Sequence, residues 1–288
     1  MQHLLEEIRT ARNDNLSGSG HVLEKLTNAF EGFLVRNDLL TDGDRMVLTG
    51  VLEDLEGNLG QFSVVRHFIH TFSKGLQEAP QKGTTQYLEA LLVNYRQQYA
   101  NVNSRMAVHA MQQIDFSGKT VVLHSNSSAL VTVFEALRNQ GIKAKVIQTE
   151  SRPVMEGRRQ AAAIADLGFD VRLIVDAGIG AAMQHADLVL AGADVVLKDC
   201  FVNKLGTLSL AIACQYWQKP MYVLADHRKF VDVSLSEWPR EQPKPANELW
   251  PKVPVNVTVN NLYFEPVPLA LAKAVISDQK VQALNDAS

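Results

Sequence analysis

Residues 185–217 read HADLVLAGADVVLKDCFVNKLGTLSLAIACQYW. An apolar run over 188–193 has the length of a buried strand, and the apolar stretch after Thr207 has the length of a helix. Between them stand Asp194, Asp199, Cys200, Asn203, Lys204 and Thr207. A strand that simply turns into a helix needs no such group. The polar turn is therefore expected to hold a ligand.

The same cycle recurs on both sides. "TVVL" (120–123) precedes "SALVTVFEALRNQG", "KAKVIQT" precedes "PVMEGRRQAAAIADLG", "DVRLIVD" precedes "GIGAAMQHA", and "PMYVLAD" precedes a loop. Short apolar runs alternating with helices predict parallel strands covered on both faces. The tail is expected to hold a Trp/Pro loop (235–254), an extended run (255–264) and a final apolar helix over "VPLALAKAVI". From the start to about residue 115 only helical periodicity is present. Val22, Leu23, Leu26, Phe30 and Phe33 share one face, Thr41 reads as an N-cap, and 84–114 reads as one long helix. The expected architecture is α/β: an all-helical domain (1–116) followed by a Rossmann-like doubly wound parallel sheet domain (117–288).

Composition narrows the function classes. In 288 residues the net charge is -3, with 46% hydrophobic and 20% charged residues. Such a chain folds around a core and exerts no long-range pull on nucleic acid or anionic membranes. The two cysteines argue against a disulfide framework. "MQHLLEEIRTARND" lacks signal-peptide character, and the greasiest region, 171–197, is broken by Asp176, His185, Asp187 and Asp194. A cytoplasmic protein without membrane or nucleic-acid partners is expected.

A doubly wound sheet binds ligands beyond the C-terminal ends of its strands. Those ends carry "HSNSS" (124–128), "TESRP" (149–153), "DAGIG" (176–180), the "GAD…NKLGT" turn and "DHRKF" (226–230). The start of the helix at Thr207, with Lys204 beside it and Gly206 allowing close approach, suits a phosphate. Lys229 could reach the same group. Alternatively Asn203 caps the helix and the lysines are solvated. Asp194 is either a half-buried general base or a turn residue held by backbone N–H groups. Arg152 either binds phosphate or pairs with Glu150, with Pro153 opening a helix. There is no Walker A sequence or dinucleotide fingerprint, and His67 and His70 have no third ligand nearby. No cofactor or metal is expected.

"TESRPVMEGRR", "LIVDAGIGAAMQHADLVLAGAD", "VNKLGT" and "KF", in this order, resemble one family. It comprises methylthioribose-1-phosphate isomerase, ribose-1,5-bisphosphate isomerase, and the alpha, beta and delta subunits of initiation factor 2B. The resemblance runs from about residue 84 to the C-terminus. A weaker echo lies at "NLSGSGHVLEKL" (15–26), where Gly18, Ser19 and Gly20 fall on a turn that touches the ligand phosphate in the family. The resemblance implies a phosphorylated sugar or nucleoside monophosphate as ligand, a pocket between two domains and a homodimer. It places a catalytic aspartate on Asp194, ligand contacts on Asn203, Lys204 and Lys229, and adds Asn126, Ser127 and Arg152 to the pocket.

One feature of the catalytic members does not carry over. They have Thr-His-Cys-Asn at the end of the first strand, whereas this chain reads Leu123-His124-Ser125-Asn126. A hydroxyl is a far weaker acid than a thiol of pKa about 8.5. The segment from "GAD" to "NK" is also one residue shorter than the family's usual length and carries Cys200. The expectation is a ligand-binding protein without the standard isomerase activity. The alternative is an aldose–ketose isomerase in which Asp194 works with Cys200 or a water.

Overall fold

The computed structural model describes residues 1–13 and 18–284, and the chain divides into two compact units, Met1–Asn101 and Val102–Ser288. The first unit is helical: α1 (Gln2–Arg12), α2 (Ser19–Val35), α3 (Asp42–Leu59), α4 (Ser63–Glu78) and α5 (Thr84–Tyr99). The predicted face of α2 is buried, with Val22, Leu26 and Phe30 fully so, and Phe30 packs on Phe68 and Phe72 of α4. Thr41 forms a capping box with Asp44 at the start of α3. Arg45 closes the other end of α4 by donating to the carbonyls of Leu76 and Ala79.

The long helix expected over 84–114 is two helices. It breaks at Ala100 and Asn101, and α6 (Val102–Gln113) starts the second unit. The two pieces serve different cores: Leu88, Leu92 and Tyr95 belong to the helical one, Met106, Ala107 and Ala110 to that of the sheet. The compact units thus divide ahead of the 116/117 boundary expected from sequence.

The second unit is built on β1 (Thr120–Leu123), α7 (Ser128–Asn139), β2 (Lys145–Thr149), α8 (Gly157–Asp166), β3 (Asp170–Ile174), α9 (Ile179–Met183) and β4 (Leu188–Gly192). These are followed by β5 (Val195–Val196), β6 (Cys200–Lys204), α10 (Thr207–Trp217), β7 (Met221–Leu224), β8 (Phe264–Pro268), β9 (Ala274–Ile276) and β10 (Val281–Ala283). Seven strands form one sheet in the order β10-β9-β7-β4-β1-β2-β3, parallel except for β10. Its inner strands β9, β7, β4, β1 and β2 are largely apolar because both their faces are buried, whereas the edge strands β3 and β10 are half-buried to exposed. Val121, Leu123, Val146, Leu188 and Leu190 face one core, while Val122, Ile147, Val189 and Ala191 face the other. Each such valine, leucine or isoleucine contributes about 1.5–3 kcal/mol by burial.

Three readings need correction here. The stretch after β4 is a hairpin: β5 and β6 pair antiparallel across Lys198 and Asp199, and β8 adds a third strand. The final apolar stretch is β8, a short 3-10 turn (Leu269–Leu271) and β9 rather than a helix. Pro266 and Pro268 forbid helical hydrogen bonds there but are tolerated in an edge strand such as β8. Finally, α8 begins at Gly157, so Pro153 lies in the preceding turn instead of opening the helix. Of the extended run 255–264, only Phe264 enters a strand. No helix among the described residues is long and apolar enough to cross a membrane.

Candidate functional site

The loop after β1 is held from three directions. His124 is buried; Nε2 lies 2.9 Å from the Leu205 carbonyl and Nδ1 2.6 Å from Thr149 Oγ1. A carbonyl only accepts, so Nε2 carries the proton and Nδ1 accepts from the threonine. Burial disfavours a second proton and pushes the His124 pKa down. The imidazole is a neutral strut between β1, β2 and the start of α10. Gly206, at φ +106°, permits this: a Cβ there would lie 2.9 Å from His124 Cε1.

Ser125 follows at φ +68°, a left-handed backbone uncommon for a non-glycine residue. Its N–H donates to Ser151 Oγ at 2.8 Å, and Ser151 itself has φ +63°. The Ser151 and Arg152 N–H groups donate to the two carboxylate oxygens of Asp176, each at 2.7 Å. The Ser127 N–H donates to Gln160, which donates to Gln148, which returns to the Ser125 carbonyl. The rim at the ends of β1 and β2 is thus a preorganised hydrogen-bonded frame.

At its centre is Glu156, buried at 7% exposure. Its Oε1 accepts from Ser125 Oγ at 3.1 Å and lies 2.9 Å from Lys204 Nζ. Oε2 is shielded from solvent and has no hydrogen-bond partner among the described residues. Lys204 is 2% exposed, and its ammonium also stands 4.4 Å from the centre of the Tyr263 ring. The Tyr263 hydroxyl donates to Glu248 at 2.6 Å; burial and then that carboxylate raise its pKa. Gly157 makes the arrangement possible, because a Cβ there would collide with the Thr149 carbonyl at 1.9 Å.

The expected anion site at the start of α10 is otherwise engaged. Glu265 on β8 accepts from the N–H groups of Gly206 (2.6 Å) and Leu208 (2.9 Å) with one oxygen. Asn203 is buried and donates to Thr207 Oγ1 at 3.0 Å, and that hydroxyl donates to the Lys204 carbonyl. Neither a solvated lysine nor an Asn203 cap describes this turn.

The remaining candidates are dispersed. Asn126 and Ser127 are half-buried, with Ser127 over Gly192, where a Cβ would stand 3.2 Å from the serine Oγ. Asp194 is half-buried where β4 leads into the hairpin, its N–H donating to the Val202 carbonyl. Lys229 donates to the Ala193 carbonyl at 2.5 Å. Arg152 is exposed, and Glu150 pairs with Arg158 instead, so the expected Arg152–Glu150 pair is absent. Gly18 is the N-cap of α2, Ser19 is buried and Gly20 exposed; they belong to the helical unit, and residues 15–17 of that motif lie outside the described residues. Cys200 is packed with Val195, Leu197 and Trp238, and burial, then Asp199, pushes its pKa up to about 11.

Asp226, His227 and Asp278 form a group of metal-like spacing. Their acids are already paired, Asp226 with Arg228 through both oxygens, Asp278 with Arg105 and the His227 ring. Burial alone would raise both pKa values, but these donors outweigh it and hold both low.

Sequence reasoning missed Glu156, Ser151, Asp176 and Glu265. Nothing local separates Glu156 from Glu150, six residues earlier and paired at the surface. Their roles follow from which strand ends meet.

Comparison with known proteins extends the picture. The sequence profile of the initiation factor 2 subunit family matches residues 62–281. A Pyrococcus horikoshii protein named translation initiation factor eIF-2B subunit 2-like is 25% identical over 284 residues, 96% of this chain and 95% of its own. Ribose 1,5-bisphosphate isomerase of Archaeoglobus fulgidus is 31% identical over 165 residues, 56% of this chain and 53% of its own. The crystal structure of Pyrococcus horikoshii translation initiation factor eIF-2B superposes with a TM-score of 0.82 at 22% identity, covering 98% of each chain.

Proposed function

The chain belongs to the initiation factor 2 subunit family, and from that premise we propose that it binds a phosphorylated sugar or nucleoside monophosphate at the C-terminal rim of its parallel sheet, without the family's standard isomerase activity. The observation that carries this reading is the placement of the proton-handling groups. Serine, not cysteine, occupies the end of β1, and its hydroxyl is engaged by Glu156. Both thiols lie elsewhere and are held neutral, Cys200 at about 11 and Cys214 at about 12. A rim of fixed donors and acceptors can then position a polyol without shuttling a proton between its carbons.

The isomerase alternative is supported by Asp194, half-buried at the end of β4, and by the similarity to ribose 1,5-bisphosphate isomerase. In that case a water supplies the second proton-handling group, because the burial of Cys200 speaks against the thiol. Leu173 and Val175 at the edge strand, with Ile212 and Tyr216 on α10, are exposed and support a homodimer through the sheet unit.

A thermal-shift panel of pentose 1-phosphates, pentose 1,5-bisphosphates and nucleoside monophosphates tests the binding reading. NMR of each ligand that stabilises the chain should show no ketose after prolonged incubation. Stabilisation with turnover selects the isomerase; no shift with any ligand removes both readings.

A further inference from the structure

The other end of the sheet carries a pocket of its own. At the N-terminal ends of β1, β2 and β3, away from the candidate rim, the chain forms a cavity of about 460 Å³. That volume lies in the range of small-molecule sites. Strands of four or five residues separate it from the rim by about 13–17 Å.

Part of the lining is apolar: Ile142, Leu167 and Phe169, each half-buried. Phe169 meets the buried Phe134 edge-on, with ring centres 5.0 Å apart, so it is held in place while part of it stays open. The turns that enter the three strands leave room beside this wall. At Gly118, Gly141 and Gly168 no atom beyond the adjoining residues lies within 4 Å of the place a Cβ would take.

Charge surrounds the wall unevenly. Arg138, Lys143, Lys145 and Asp170 are exposed around the cavity, a surplus of two positive charges. None of the four makes an ion pair among the described residues, although Asp170 stands opposite Lys145 in the strand register. Basic residues near a helix C-terminus commonly serve its last carbonyls. Here the backbone already does so. The N–H groups of Gln140, Gly141 and Ile142 donate to carbonyls of α7, and those of Leu167 and Gly168 to carbonyls of α8. The cations are therefore available to something else.

Two properties of a ligand follow. The charge surplus attracts an anion, but exposed lysines alone give a small hydrated anion little, because water and salt screen them. The apolar wall rewards a flat hydrocarbon face. An aromatic ring bearing an anionic group satisfies both, and a guanidinium stacks on such a ring as readily as it pairs with the anion. We propose that this cavity is a second ligand site, which takes a planar aromatic anion with its ring on the Leu167–Phe169 wall and its charge toward Lys143 and Lys145. The inference goes beyond the sugar-phosphate reading and does not depend on it.

Fluorescence titration of the full chain with anilinonaphthalene sulfonate, whose emission rises in apolar surroundings, tests it. The Lys143→Glu/Lys145→Glu variant should bind this probe more weakly by on the order of 10-fold, because two attractive contacts of exposed ion-pair strength turn repulsive. Phenylnaphthylamine, which has the rings without the sulfonate, should bind both proteins alike. A Lys74→Glu/Lys252→Glu control makes the same change in net charge at exposed positions elsewhere and should behave as wild type. Naphthoate and naphthyl phosphate should displace the probe from wild type, while methanesulfonate, an anion without rings, should not. Unweakened binding in Lys143→Glu/Lys145→Glu, or equal weakening in the control, overturns the site. Displacement by methanesulfonate as well as naphthoate overturns the aromatic requirement, and displacement by neither aromatic anion overturns the ligand class. Should the charge reversal not fold by circular dichroism, Lys143→Gln/Lys145→Gln takes its place, with a loss of about 3-fold expected. The wild-type series stands independently: sulfonate bound no more tightly than phenylnaphthylamine refutes the proposal. None of these outcomes bears on the rim, which is tested with other ligands.

Discussion

Lys204 Nζ and Glu156 Oε1 stand 2.9 Å apart with side chains 3% and 8% exposed. Removing one member of such a pair strands the other charge without water, whereas removing both costs far less. Lys204→Ala should therefore lower stability by about 3–5 kcal/mol. Lys204→Met combined with Glu156→Gln should lose much less than Lys204→Met alone. Urea unfolding of wild type, Lys204→Met, Glu156→Gln and the double variant measures this; additive single effects would mean that the pair is not a buried ion pair at all.

Glu265 should matter for stability although it lies on a different strand from the helix it serves. Its carboxylate satisfies two N–H groups at the start of α10, the service a side-chain cap normally supplies. Glu265→Ala should cost about 1.5–3 kcal/mol, the scale of hydrogen bonds to a charged group. Glu265→Gln, which keeps an acceptor, should cost less than half as much. Equal losses in the two variants would point to packing of the side-chain stem as the cause.

The sheet was legible because its inner strands are buried on both faces: "VVL" and "LVLAG" admit few alternatives between polar turns. What stayed hidden depends on pairing across distance. Val195, Val196, Phe201 and Val202 form a hairpin only because β8, some sixty residues later, pairs with β6. "VPLALAKAV" has helix-like apolar spacing, and only Pro268, with Pro266 just ahead of the stretch, hints otherwise. The candidate rim was found by position at the strand ends. The partner of Lys204 was not, because burial of Glu156 is a property of the assembled β1, β2 and β6 ends. For the same reason the free helix N-terminus expected at Thr207 is already occupied by Glu265.

His124 makes stability fall on mild acidification. Its folded pKa lies below the unfolded value of about 6.5, because burial resists the charge. Below that pH the unfolded chain takes up a proton that the folded chain refuses, so unfolding free energy rises with pH there and levels off above about 7. The slope approaches at most about 1.4 kcal/mol per pH unit. Asp226 and Asp278 have lowered folded pKa values, so their contribution is complete above about 4 and is lost only at lower pH. Glu241, raised by burial, acts in the opposite sense above its ordinary value. The difference between wild type and His124→Gln isolates the imidazole. Urea midpoints between pH 7.5 and 5 should converge as pH falls, and a constant gap would show that His124 titrates alike in both states.

The thiols offer a chemical test of whether a cysteine can serve the site at all. Alkylation proceeds through the thiolate, and an ordinary cysteine of pKa about 8.5 is roughly one-quarter ionised at pH 8. With a pKa of about 11, Cys200 is ionised to only about 0.1% at that pH, and Cys214, at about 12, to less still. Packing against Val195, Leu197 and Trp238 further restricts access to Cys200. Native protein should stay unmodified by iodoacetamide over a period that fully labels glutathione, while both cysteines react in 8 M urea (about the concentration needed to expose a core); peptide mass spectrometry reads both. Rapid labelling of Cys200 in the folded chain would show an accessible, ionisable thiol beside the rim, and the isomerase using that thiol would then become the better account of the site.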